Sequence, residues 1–406
     1  MTGSPETDTT SSPETDTTSS PETDGRITSA DGATLGSALE ALDPAYFGFV
    51  MSTGIVSIAF FELAVPVVAL PLAAFNVACY ALLLALFAVR TAAFPRRTLA
   101  DLRDRDRHWG TLTFIVATDT VGVQFLLFFD AVSVAAALWA ATVVATPPLL
   151  YYLFATEVIG AGKADVSERI DGAFLLVIVC MQSLAVLGGL LAEPLAGYGN
   201  AVVLLSMSYF GSGYVLYVVV VTVVTYRLLD GAVRPDDWTG PYWIAMGAAA
   251  ITTLAGATVG PLLGTVPGWE PYAPVVVGAT FFAWAIASWW IPLLVVLDVW
   301  AFLTDGVEGR PPVWVLLFPW SRLGFGDRLH AYAPTAWGRV FPMGMYTAGT
   351  LNLAGIGAFG ALSVVPTYWG WFALLVWAVT LVGTGRAVKR VLVGGGPAGD
   401  DRSTAT

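Results

Sequence analysis

Asp119 is the residue of this chain best placed to do chemistry. It lies in an apolar stretch at about 110–129, where a carboxylate must be protonated, paired or facing water. A carboxyl group there could take up and release protons and so couple proton movement to transport. Other reactive groups are scarce. Cys79 and Cys180 stand mid-span and read as small apolar packing residues. His108 and His330 lie in or beside polar loops, and no His, Cys and Glu cluster at ligand spacing, so neither a metal nor haem nor an iron–sulfur centre is expected. No mid-span lysine could hold a retinal, and no phosphate-binding loop with its lysine is present. The chain reads as a protein without cofactors and not as an enzyme.

The elements that hold Asp119 are membrane helices. Of the 406 residues, 56% are hydrophobic and 12% charged, and the mean hydropathy is +0.71. A bilayer core of about 30 Å needs roughly 20 apolar residues per helix. Ten spans satisfy this: 45–65, 68–94, 110–129, 131–153, 171–192, 200–226, 241–262, 274–303, 335–360 and 367–385. The fold class is an all-α polytopic membrane protein, because lipid cannot satisfy open backbone. The 19 Lys and Arg avoid every loop after an odd span. Arg90 to Arg107, Lys163, Arg227, Arg310 and Arg386 all fall in the alternate loops or beside them. Arginine-rich loops stay inside, so both termini are expected in the cytoplasm of a multi-pass cell (plasma) membrane protein.

Three segments follow. Residues 1–40 repeat Ser-Pro-Glu-Thr-Asp and read as a disordered acidic tail, 41–390 form the transmembrane domain, and 391–406 a short C-terminal tail. The net charge of −11 argues against a nucleic-acid partner; the lipid bilayer is the expected one.

Glycine divides the spans. The five odd spans hold 16 and the five even spans six. Odd spans also collect hydroxyls, among them Ser52, Thr53, Ser57, Thr118 and Thr347. Small and polar residues belong where helices approach closely or line a wet path. Ten transmembrane helices arranged as five helical hairpins are therefore expected, with the odd helices forming an inner ring around a pore. Pro342 interrupts span nine, Pro292 span eight and Pro147–Pro148 span four, as tolerated kinks.

Residues 43–59, DPAYFGFVMSTGIVSIA, resemble the first-helix signature of the tellurite-resistance/dicarboxylate transporter family, and 337–346, WGRVFPMGMY, its ninth-helix signature. That family includes slow-type anion channels, malate permeases and sulfite efflux pumps. The resemblance implies five hairpins around a central pore and a homotrimer with one pore per subunit. It also implies a gate at Phe341, beside Pro342, because a phenylalanine in the ninth helix plugs the pore of the channel members. Arg339 is two residues away, about 200° around the helix, and cannot point the same way. Asn352, eleven residues beyond Phe341, is a candidate lining group with Ser52, Thr53, Ser57, Thr118 and Thr347. The expected activity is transport of small anions: C4-dicarboxylate, sulfite or inorganic monovalent anions. The alternative is a proton-coupled dicarboxylate or sulfite carrier using Asp119.

Overall fold

The computed structural model describes residues 35–104, 107–159, 171–230, 238–304 and 334–394. The expectations for residues 1–34, for His330 and for the C-terminal tail from 395 lie outside those residues. Among the described residues, ten helices of 16 residues or more succeed one another. They are α1 (Phe47–Glu62), α2 (Pro66–Ala93), α3 (Leu112–Phe129), α4 (Val132–Ile159) and α5 (Leu176–Leu191). The second half comprises α6 (Gly199–Asp230), α7 (Ile244–Leu263), α8 (Ala273–Thr304), α9 (Trp337–Gly355) and α10 (Val364–Gly394). Among the described residues there is no strand.

Nine of these are long and apolar enough to cross a bilayer. The ninth of the expected ten, α9, is not, because Arg339, Asn352, Thr347, Thr350 and its glycines dilute its apolar content. It has 14 buried residues among its 19, so protein rather than lipid surrounds those polar groups. The chain is a membrane protein with multiple apolar helices.

Burial alternates along the chain. In α1, α3, α5 and α7 between 67% and 83% of the apolar span is buried; in the five even helices the share is 22–28%. Even helices turn Val, Leu, Phe and Trp outward, as at Leu82, Val144, Val215, Trp289 and Trp371. Each odd helix packs against the next, α1 on α3, α3 on α5, α5 on α7, α7 on α9, and α9 packs back on α1. The odd helices run parallel: Gly48 lies near Trp337, Gly344 against Ile55, and Asn352 bonds Glu62.

Glycine explains how these helices come so close. A Cβ added to Gly54 would collide with Thr120, and one added to Gly122 with Leu187. A Cβ on Gly189 would meet Thr258, on Gly349 the Ala250 carbonyl, and on Gly344 Ile55 at 2.9 Å. Every seam between neighbouring odd helices holds at least one such glycine. Close approach of backbones is how membrane helices gain packing energy, since lipid is as apolar as leucine.

A short 3-10 turn leads into each odd helix: Pro44–Tyr46, Trp109–Thr111, Gly172–Leu175, Gly240–Trp243 and Pro334–Ala336. Asp43 and Asp171 start two of them, accepting hydrogen bonds from the Ala45 and Ala173 amides at 2.8 and 2.9 Å. These turns also touch one another in the same order as their helices. The segment read as tail contains a helix, Leu35–Glu40. It is fastened because buried Arg90 donates twice to the Glu40 carbonyl and Arg97 reaches the Glu40 carboxylate at 2.6 Å.

Pro342 does not break α9. Its ring packs on Gly247 of α7, where an added Cβ would stand 2.8 Å from the proline Cγ. Gly247→Leu should therefore force α9 outward. Thermal melting in detergent should fall by the equivalent of about 1–3 kcal/mol. Gly211→Ala, at a position with open space around it, should leave melting unchanged or slightly raised.

Candidate functional site

The odd helices each contribute one stripe of side chains to a narrow cavity of about 40 Å³. The stripes are Ile55, Ile58 and Glu62 on α1; Thr120, Val123 and Leu127 on α3; Ser183, Val186 and Leu190 on α5; Ile251, Leu254 and Thr258 on α7; and Met345 and Asn352 on α9. Four stripes share one spacing, i, i+3, i+7, and α9 supplies i and i+7, so each helix shows one face. The seam contacts place the stripes in register. Ile55, Thr120, Ser183, Ile251 and Met345 form the deepest level, and Glu62, Leu127, Leu190, Thr258 and Asn352 the level nearest the helix C-termini. No glycine lines the cavity; the glycines stand in the seams beside it.

One turn deeper, the same stripes carry Met51, Val116, Val179, Gly247 and Phe341. All are buried. The cavity floor is thus an apolar layer in which Phe341 is the largest member and stands beneath Met345. Pro342 is turned from this stripe onto Gly247.

Asp119 lines the cavity beside Thr120. Its carboxylate is 1% exposed and accepts from Thr142 of α4 at 2.6 Å and Ser183 of α5 at 2.7 Å. Two hydroxyl donors thus partly compensate the lost hydration of a carboxylate in the membrane. Glu62 takes hydrogen bonds from Asn352 Nδ2 on both oxygens at 3.0 Å. The same amide donates to the Ala348 carbonyl at 2.9 Å, which pins it to its own helix. Among the described residues no Lys, Arg or His lines this cavity.

Of the residues singled out in the sequence, the structure brings Asp119 and Asn352 to the cavity. It places the five hydroxyls elsewhere. Ser52 donates to the Trp337 carbonyl at 3.1 Å, in the turn that precedes Pro342. Thr53 receives the Trp377 indole of α10, and Ser57 bonds the Gly54 carbonyl while accepting from Gln124. Thr118 pairs with Tyr80 of α2, and Thr347 bonds the Met343 carbonyl next to Gly370 of α10. Hydroxyls within lipid satisfy a neighbouring carbonyl or helix first, so a hydroxyl in an odd helix does not by itself mark the cavity wall: these five mark helix contacts, whereas Thr120, Ser183 and Thr258 line the cavity. Arg339 is held away from the stripe by Asp298 at 3.2 Å, and Asp298 also accepts from the Trp238 and Trp243 indoles.

Sequence reasoning passed over Glu62. The signal was there: it falls inside the span 45–65 and seven residues beyond Ile55, on one helix face. Gln124 was missed too; it joins Asn76 of α2 to Ser57 of α1.

Apolar helices packed around a buried cavity with polar groups in its wall define a multipass membrane transport protein. Residues 41–385 match the model of the voltage-dependent anion channel family, and the chain belongs to that family. This agrees with the grouping to which the first- and ninth-helix motifs pointed. The chain is 35% identical to an uncharacterized membrane protein of Mycobacterium tuberculosis over 167 residues, 41% of this chain and 74% of that protein. Two uncharacterized transporters of Methanocaldococcus jannaschii are similar over nearly their whole length. One is 22% identical over 361 residues, 86% of this chain and 95% of the relative. The other is 23% identical over 350 residues, 84% of this chain and 92% of the relative.

Proposed function

We propose that the protein passes small anions across the cell membrane through the cavity between its odd helices, with Phe341 as the gate. The observation that carries this reading is the apolar layer of Met51, Val116, Val179 and Phe341 directly beneath the cavity. Such a layer blocks ions by volume and by keeping water out. In this reading the ten helices are five hairpins, the odd helices are the inner ring and the arginine-bearing ends face the cytoplasm. The five odd N-termini then point their positive dipole ends at the cytoplasmic mouth, which favours anions there. The wall beyond offers hydroxyls, the Asn352 amide, apolar groups and the carboxyls of Asp119 and Glu62 without a fixed cation, so no site traps a passing anion. C4-dicarboxylates, sulfite and inorganic monovalent anions form the substrate class. Family likeness supports a homotrimer with a pore in each subunit, and a role in tellurite resistance belongs to the same set of proposals.

A second reading, a proton-coupled carrier, is favoured by one specific observation: Asp119 stands in the cavity wall, bonded to two hydroxyls and to no cation.

Three measurements test these readings. Phe341→Ala should raise anion conductance in planar bilayers well above wild type with the anion-over-cation preference kept. The loss of packing should cost no more than about 3–5 kcal/mol. Unchanged conductance in a normally abundant, normally melting variant would make Phe341 a packing residue. In the coupled-carrier reading, Asp119→Asn should abolish the flux that a pH gradient drives while the protein still folds; gradient-driven flux that survives removes Asp119 from the coupled mechanism. Cysteines introduced near 195 and 268 should react with a membrane-impermeant reagent from outside the cell. Reaction from the cytoplasmic face instead would overturn the topology.

A further inference from the structure

We propose that Glu62 is the residue that admits or refuses anions at the outer mouth of the cavity, refusing them when ionised and admitting them when protonated. The proposal rests on the anion-transport reading above and adds to it a residue and a condition.

Glu62 stands at the level nearest the helix C-termini, on the same face as Ile55 and Ile58, so an ion moving between the outer solution and the Phe341 layer passes it. It is held there. Asn352, from the neighbouring α9, donates to both carboxylate oxygens, which keeps the side chain across the α1–α9 seam instead of letting it swing out to the headgroups.

Among the described residues, no cation that could offset Glu62 stands near it on the long helices packed on α1, which are α2, α3, α9 and α10; the turns Pro44–Tyr46 and Pro334–Ala336 meet α1 at its other end. From α3 come Asp119 and the exposed Asp130 in the following turn, both acids. Since Gly54 lies against Thr120, Asp119 is about 12 Å deeper than Glu62, eight residues along the axis. From α9 come Asn352 and, deeper, the Tyr346 phenol; α10 brings the exposed Tyr368. Cys79 and Tyr80 stand in the middle of α2, while its Arg90, Arg339 of α9, and Arg386 and Lys389 of α10 lie at the opposite ends of their helices.

The physical consequence follows from Coulomb's law. At an effective dielectric of about 20, a carboxylate about 5 Å from a passing anion lowers its occupancy by about two orders of magnitude. Asp119 further in repeats the obstacle. Protonation removes the charge and turns each carboxyl into a hydrogen-bond donor that an anion can use. The cavity has room for about three waters, so protons from the outer solution can reach both groups along water and return by the same way. Stripes this narrow leave an anion no detour around Glu62.

Proteoliposomes of the full-length protein, loaded separately with chloride, sulfite and malate, test this when efflux is followed as the pH at the Glu62 side is lowered from neutral through the carboxylate range. Wild-type flux should rise at least about tenfold. Glu62→Gln should raise flux at neutral pH at least about tenfold and leave only the part of the acid rise that Asp119 supplies, and Glu62→Asp should restore the full pH response. An unchanged pH profile in a normally melting Glu62→Gln variant overturns the proposal. Should that variant fail to fold, Asn352→Asp adds a second carboxylate at the same mouth and is expected to cut neutral flux about tenfold; no change there overturns the proposal equally. A response that follows sodium rather than protons also overturns it. A wild type that passes none of the three anions at any pH removes the anion-transport reading itself, and this inference with it.

Discussion

Close backbone contact at the five seams between odd helices is the constraint on which the rest of the molecule depends. Lipid gives no hydrophobic reward for bringing two apolar helices together, so van der Waals contact between backbones has to supply it. Gly54, Gly122, Gly189, Gly349 and Gly344 allow that contact, at least one glycine in each seam, because any Cβ there would meet Thr120, Leu187, Thr258, the Ala250 carbonyl or Ile55. Helices drawn this near show one another a single narrow face. The i, i+3, i+7 stripes that line the cavity are the face left over between two seams. Cavity width is therefore set by glycines that never touch the cavity.

Much of this was legible in the sequence, and the failures have one cause. Span positions, the division of glycine between odd and even helices, and the family motifs around Tyr46 and Phe341 were all readable, because hydropathy, size and spacing are properties of a segment. Which way a given side chain faces is a property of neighbours. Ser52, Thr53, Ser57, Thr118 and Thr347 looked like lining groups because polar residues in a membrane suggest water. Their hydroxyls instead reach a carbonyl or an adjoining helix, the nearer and drier way to satisfy them. Glu62 was passed over because it stands at a span end, although its position seven residues past Ile55 aims it inward. The apolarity of α9 misleads in the same way, since a helix enclosed by protein need not be greasy.

Buried acids in this protein have unlike surroundings, and the surroundings assign unlike work. Asp298 accepts from two indoles and the Arg339 guanidinium; every partner is a fixed donor, and one is a cation, which holds the charge in place as a structural tie. Asp101 likewise meets Arg90 at 2.6 Å and Arg107 at 2.9 Å. Asp119 and Glu62 have hydroxyl and amide partners and no cation. Neutral donors compensate a carboxylate less than a charge does, which sets these two apart from the acids tied to arginine. They are also the two in the cavity wall.

The gate proposed at Phe341 gains a physical form from the way α9 is held. Pro342 is wedged against Gly247, Arg339 is tied to Asp298 on α8, and the Trp337 carbonyl is bonded by Ser52 of α1. These three ties come from three different helices and bracket Phe341 within five residues. A rigid shift of α9 would have to break all of them together, whereas rotation of one phenylalanine about χ1 breaks none. Gly247 sits in the same layer, and the space of its missing side chain is taken by the Pro342 ring. An opening built on side-chain rotation needs only that the aromatic face leave the stripe, since the ties on Trp337, Arg339 and Pro342 hold the α9 backbone in place.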